Sequence, residues 1–261
     1  MLLKVIKHNL PDYKELLILP LADWHIGDKA SDGKKILQHL DFLRNTPNAY
    51  AILNGDLMNT AIRTSLSDVY SETISPMDQI KHCVKLFDGL QEKILCINPG
   101  NHELRVWKND GIDMTQLMAT QLGIGDRYSL TSTLLFIRFG KHNGSDNQHR
   151  RPVCYTIYCV HGSGGGRMEG SKVNRLMQLA SIVDADCYVH SHTHLPAIVK
   201  NGYYRVSAAN SSVMKVDKLF INTSASLQYG GYGELQSYKP TSIETPVIVL
   251  DGARRSMKAI L

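Results

Sequence analysis

The sequence has 261 residues, 43% hydrophobic and 20% charged, a composition that excludes disordered, collagen-like and disulfide-stapled classes and allows a sizeable core. No apolar run nears the ~18 residues of a membrane span, and the Met1–His8 stretch lacks the apolar core and cleavage site of a secretory signal, so a cytoplasmic protein with no membrane partner is expected. Twenty-nine basic against 24 acidic residues give a net charge of +5, a mild tilt toward anionic partners that falls short of a dedicated nucleic-acid binder.

The length fits one α/β domain spanning residues 1–261. The five cysteines, Cys83, Cys96, Cys154, Cys159 and Cys187, include no C-x-x-C pair and sit mostly among apolar neighbours, as reduced packing residues do.

Glu15 to Ala22 is an apolar run of the kind a strand covered on both faces shows, and it delivers Asp23 and His25. Gly33 to Arg44 has the apolar spacing of an amphipathic helix. A second strand, Ala49 to Leu53, ends in Asn54-Gly55-Asp56-Leu57-Met58-Asn59. Ser75 and Pro76 open a helix as N-cap and first residue, and it runs to Gly89. Lys93 to Ile97 is a third strand, ending in Asn98-Pro99-Gly100-Asn101-His102-Glu103.

Asp113 to Leu122 reads as a helix closed by Gly123. Thr131 to Phe139 and Val153 to Val160 read as strands joined by a polar segment that carries His149-Arg150-Arg151. The second of these ends in His161 and a loop, Gly162-Ser163-Gly164-Gly165-Gly166-Arg167, that lacks the G-K-[ST] ending of a Walker loop. Its amides could form an anion nest with Arg167 as a clamp, or serve as a hinge. Ser171 is expected to cap the next helix. A strand from Cys187 then opens onto His190, His192 and His194, and short strands are expected at Ala197 to Val199, Tyr203 to Val206, Lys218 to Ile221 and Pro246 to Leu250.

Five apolar runs thus end in Asp23/His25, Asp56, Asn101/His102, His161 and His192/His194. Ligands of α/β sheets bind outside the carboxyl ends of strands, so these side chains can converge. Two carboxylates, an amide oxygen and four imidazoles suit two divalent first-row ions ~3.5 to 4 Å apart, bridged by a carboxylate and a hydroxide, which is the equipment of phosphoester hydrolysis.

The blocks Asp23-x-His25, Gly55-Asp56-x-x-Asn59, Gly100-Asn101-His102-Glu103, His161-Gly162 and His192-Thr193-His194 resemble, in order, those of the calcineurin-like metallophosphoesterases. The resemblance implies a four-layer α/β/β/α sandwich of two mixed β-sheets flanked by helices. It also implies two divalent metal ions, Mn foremost, with Fe, Zn or Ni accepted by the same donors. Asp23, His25, Asp56 and His194 would hold one ion. Asp56, Asn101, His161 and His192 would hold the other, and His102 would act catalytically on the phosphate. Arg105 and Arg167 are candidate substrate contacts, with Arg63 a further one. Ser191 stands where the family usually has glycine, and His190 is extra. Either it lies behind the site or it pairs with His192 in place of His194. Ser224 likewise replaces a glycine in Asn222-Thr223-Ser224.

The opening block Asp23 to Gly27 is similar to that of bacterial and phage DNA-repair exonuclease subunits, which implies a phosphodiesterase acting by in-line attack of a metal-bridging hydroxide, with DNA or a nucleotide among the substrates. The sequence ends without the extra region those exonucleases carry, so a phosphomonoesterase stands as the alternative. A non-catalytic scaffold of the same fold is the third reading.

Overall fold

The computed structural model describes residues 3–65, 69–142, 151–164, 166–230, 233–234 and 237–261. Among these residues two mixed sheets form. One has the order β11–β10–β2–β3–β4, made of β2 (Glu15–Leu21), β3 (Ala49–Asn54), β4 (Ile94–Asn98), β10 (Val247–Asp251) and β11 (Met257–Ile260). The other runs β1–β5–β6–β7–β9–β8, made of β1 (Lys4–Asn9), β5 (Ser132–His142), β6 (Arg151–Val160), β7 (Cys187–His190), β8 (Ala197–Ser207) and β9 (Ser212–Asn222).

Alternation along the strands divides the core into three layers. Leu16 and Ile18 of β2 and Tyr50 and Ile52 of β3 face Ile137, Tyr155, Ile157 and Val189 between the sheets. The opposite face of the first sheet, with Leu19, Leu21, Ala51 and Leu53, is covered by α1 (Gly33–Asn45), α2 (Pro76–Leu86), α3 (Asn101–Asp110) and α4 (Met114–Gln121). The outer face of the second sheet, with Tyr158, Tyr188 and Phe220, packs under Leu176 of α5 (Glu169–Gln178). The arrangement is the expected α/β/β/α sandwich.

The helix start signals behave as the sequence predicts at α2, where the Ser75 hydroxyl accepts from the Asp78 amide and Pro76 is the first helical residue. They fail at α5: the cap position is Met168, and Ser171 lies inside the first turn with its hydroxyl donating to the Met168 carbonyl at 2.7 Å. The expected short strands at Ala197 to Val199 and Tyr203 to Val206 are one strand, because eleven residues of β8 pair with β9 straight through Asn201-Gly202. The hairpin of β5 and β6 is present, and its connecting segment 143–150, with His149 and Arg150, lies outside the described residues. The five cysteines are free thiols, four of them buried.

β2, β3 and β4 are mutually parallel, as are β6, β7 and β9. Their carboxyl ends bring the loops after β2, β3, β4, β6 and β7 to one edge of the sandwich, as the contacts between them show. Among the described residues, no helix is long and apolar enough to cross a membrane.

Ile18, fully buried between the sheets, has no room to relax on truncation. Ile18→Ala should lower unfolding free energy by about 2–5 kcal/mol in urea titration. Val206→Ala, at a position 71% exposed on β8, should change it by less than about 0.5 kcal/mol.

Candidate metal centre

The ligand loops after β2, β3 and β7 leave their strands by sharp reversals. Asp23, His25, Asp56, His192 and His194 all have φ between +46° and +67°, left-handed backbone that costs a non-glycine residue about 1–2 kcal/mol. The turns are held by cross-loop backbone bonds. The amides of Asp23 and Trp24 donate to the carbonyls of Gly55 and Asp56, and the Ser191 amide donates to the His161 carbonyl.

Among the described residues three clusters of donor atoms result, each with its atoms within 4.8 Å of one another: Asp23 with His25 and His194, Asp56 with His161 and His192, and His25 with Asp56 and His102 between them. The Asn101 amide oxygen joins the second, 3.3 Å from His161 Nε2 and 2.7 Å from His192 Nδ1. Donors sharing one cation at bonds near 2.1 Å stand about 3.0 Å apart at right angles and about 3.4 Å apart in a tetrahedron. Most of the observed separations fall in that window, the 2.7 Å between Asn101 Oδ1 and His192 Nδ1 being shorter. Asp23 Oδ1 to His194 Nε2 is 3.2 Å and His25 Nε2 to His194 Nε2 is 3.4 Å; Asp56 Oδ2 to His161 Nε2 is 3.1 Å.

Asp23 Oδ1 is buried and makes no hydrogen bond, an orphaned acceptor aimed into the first cluster. Its other oxygen accepts from the His192 amide at 3.1 Å. The donor set and this orphaned oxygen fit divalent cations.

Charge in the centre is shared unevenly. Burial raises the Asp56 carboxyl, but the imidazoles of His161, His102 and His25 outweigh it and hold Asp56 well below the usual carboxylate range. For His161 burial opposes protonation, yet Asp56 overrides it and pushes His161 up to about 10. His25 falls to about 3 through burial and the charge of His102, and His192 to about 4 through burial and the charge of His161.

Ring orientation is fixed from behind. His161 Nδ1 donates to the Asn54 carbonyl at 2.7 Å and His102 Nδ1 to the Asn59 carbonyl at 3.0 Å, which turns each Nε2 toward the centre. His190 belongs to none of the three clusters. Its Nδ1 donates to the Asn222 side-chain oxygen at 2.7 Å, behind the centre. Ser191 is buried and is not among the residues with positive φ, so serine fits there without strain.

Two further side chains brace the ligand loops. Glu103 is buried and accepts from the amides of Asp56, Met58 and Gly100 at 3.0, 2.9 and 2.8 Å, tying the loop after β3 to the start of α3. Its position three residues after Gly100 is that of a capping-box acid. Lys172 of α5 donates to the Thr193 carbonyl at 2.9 Å, between His192 and His194. Arg105 lies near enough to feel the charges of Asp56, Glu103 and Glu72. Arg167 is exposed, with its guanidinium 5.8 Å over the Tyr238 ring. In the glycine loop, Gly162 and Gly164 have φ of +90° and +102°, the Ser163 carbonyl accepts from Arg175 at 2.8 Å, and Gly165 lies outside the described residues.

No family model and no curated protein matches the chain. Among solved structures, it is similar to a conserved uncharacterized protein of Streptococcus pneumoniae, titled a predicted phosphoesterase, at 13% identity and a TM-score of 0.38, covering 94% of this chain and 97% of that one. Wild-type Vps29 of Entamoeba histolytica complexed with Zn²⁺ follows at 14% identity and a TM-score of 0.36, with 94% and 97% covered. A hypothetical protein of Thermus thermophilus has 11% identity and a TM-score of 0.35, with 94% and 99% covered. Likenesses this faint carry no argument about chemistry, which rests on the donor geometry.

Because His161 is pushed up to about 10, it carries a proton at neutral pH that an entering cation must expel, while His25 and His192 are already neutral. Metal binding should therefore release about one proton, and apparent affinity should rise about tenfold per pH unit until His161 deprotonates by itself. Calorimetric titration in two buffers of different ionisation enthalpy reads the release directly, and zero release would contradict this charge assignment.

Proposed function

We propose that the chain is a two-metal phosphoester hydrolase of the calcineurin-like kind, acting on phosphodiesters. One observation carries the proposal: the clusters of Asp23, His25 and His194 and of Asp56, His161 and His192 are joined by a third in which His25 and Asp56 meet, with the His102 imidazole beside Asp56, Nε2 to Oδ2 3.9 Å. On this reading Asp23, His25, Asp56 and His194 hold one cation and Asp56, Asn101, His161 and His192 the other. Two divalent cations there, Mn²⁺ foremost, supply Lewis-acid stabilisation of phosphoryl oxygens and a water acidic enough to attack phosphorus near neutral pH.

The chain's own groups do the rest. His102, pinned through Nδ1 to Asn59, presents Nε2 to the substrate and holds the proton that the departing oxygen takes. Burial, against the pull of Asp56, lowers its proton affinity, so the imidazolium that donates from Nε2 is a minor form at neutral pH and a stronger acid where it forms. Arg105 stands one helical turn beyond His102 on α3 and contacts the phosphate oxygens. Arg167 provides a charge further out on the rim. The Arg105 charge is already partly balanced by Asp56, Glu103 and Glu72. The diester reading is supported by the opening block Asp23-Trp24-His25-Ile26-Gly27 and by the net charge of +5, nucleic acid or nucleotide being the natural sources.

With Mn²⁺, a bis-aryl phosphate should be cleaved faster than a mono-aryl phosphate; the reverse order would make the protein a phosphomonoesterase, and no hydrolysis with no bound metal would make it a scaffold. His102→Ala should keep both metals by elemental analysis and lose about 10²–10⁴ in kcat. Asp56→Ala should lose metal occupancy itself.

A further inference from the structure

A chain of buried amides and hydroxyls runs beneath the metal centre from one sheet to the other. Thr133 Oγ1 of β5 donates to Asn98 Oδ1 at 2.7 Å, and Asn98 Nδ2 donates to Asn54 Oδ1 at 3.1 Å. Asn54 Nδ2 then donates to Ser191 Oγ at 2.7 Å and to the Val160 carbonyl at 2.9 Å. Thr133, Asn98, Asn54 and Ser191 are all fully buried. The Asn54 side chain thereby joins the ends of β3, β4, β6 and β7, and its backbone carbonyl is the acceptor that fixes the ring of His161.

Ser191 is the one member of this chain that lies in a ligand turn, next to His192. Its amide donates to the His161 carbonyl at 3.0 Å, its carbonyl accepts from the Thr193 amide at 2.7 Å, and its hydroxyl accepts from Asn54. Two of these bonds locate the residue against the neighbouring ends of β6 and β3, and the third closes its own turn. A glycine would supply the two backbone bonds and not the hydroxyl's, and would leave one Asn54 N–H buried without its acceptor. The hydroxyl therefore has a task that the backbone alone does not meet. His192 and His161 converge on the Asn101 oxygen from either side, and Asn54 and Ser191 brace both: Asn54 holds the His161 ring, and Ser191 holds the backbone from which His192 departs.

We infer that Ser191 is a positioning residue for the cation held by Asp56, Asn101, His161 and His192, acting through Asn54 and not by touching metal or substrate. The inference rests on the two-metal reading above. It assigns Ser191 a smaller part in the cluster of Asp23, His25 and His194, which it reaches only through the His192 amide on Asp23 Oδ2, the backbone of Asp23 and His25 being set by the bonds between the loops after β2 and β3.

The test is calorimetric titration of Mn²⁺ into the full-length metal-free protein, with Ser191→Ala and Thr133→Val compared with wild type. Ser191→Ala should weaken one of two binding events about tenfold, the usual scale for removing a partner behind a ligand, and the other by less. Thr133→Val removes the far end of the same buried chain while keeping shape; it should lower Tm and leave both binding events unchanged. The coupling of Ser191 to Asn54 is read independently by the His161 Nδ1–H resonance in the metal-free protein, which should broaden in Ser191→Ala and stay sharp in Thr133→Val. Two wild-type binding events in Ser191→Ala, or an equal loss of both in the two variants, would overturn the positioning role and leave the two-metal reading standing. A wild-type protein that binds no divalent metal would overturn both.

Discussion

Burying an ionised carboxylate costs several kcal/mol unless charges and hydrogen bonds replace its water, and Asp56, 1% exposed, has to be so compensated. One oxygen accepts from the His102 amide at 2.8 Å, in the first turn of α3, where the unpaired amides and the helix dipole favour negative charge. The other faces His161. Asp23, fully buried, meets the same need with the His192 amide and the Thr223 hydroxyl on one oxygen, while its second oxygen lies 3.2 Å from the His194 ring. Much of the local architecture follows from housing these two charges: α3 must begin where it does, and the loops after β2, β3 and β7 must turn back into left-handed backbone.

Two sheets, packed by apolar side chains over most of their area, exchange polar contacts where their strand ends meet. Glu103 braces the turn after β3 with three accepted amides, and Lys172 reaches from α5 to the carbonyl between His192 and His194. Loops that would otherwise be the softest parts of an α/β protein are here tied at several points each. That stiffness suits a site whose donors must stay spaced for a small cation before any cation arrives.

The candidate site was more legible in the sequence than the fold around it. Polar residues ending apolar runs announce themselves, and Asp23, His25, Asp56, His161, His192 and His194 do so at β2, β3, β6 and β7. Helix α3 did not, because its inward face carries the carboxylate of Glu103 and, besides it, Val106 as its one buried apolar residue, so apolar periodicity is absent. Strand β1 buries Ile6 and otherwise faces water for most of its length, and β11 has four residues. In β8, Asn201-Gly202 reads as a break, but the ladder to β9 satisfies the backbone regardless of side chain. Asn54 and Asn98 were visible as the last residues of apolar runs, yet no local pattern says that they would meet each other across two strands.

Gly55 and Gly100 sit back to back under Asp56. A Cβ on Gly55 would fall 2.5 Å from the Gly100 amide nitrogen, and one on Gly100 would fall 2.0 Å from Asp56 Oδ1. The loops after β3 and β4 therefore approach as closely as bare main chain allows, and Gly55, at φ +90°, adds a conformation that other residues resist. Neither position has a neutral neighbour in sequence space: a side chain on one must displace the backbone of the other or the carboxylate between them. Drift in this part of the gene would have to proceed by paired changes, so a natural or engineered remodelling of the site has far more freedom around Arg105 on α3 and the exposed Arg167 than at this glycine contact.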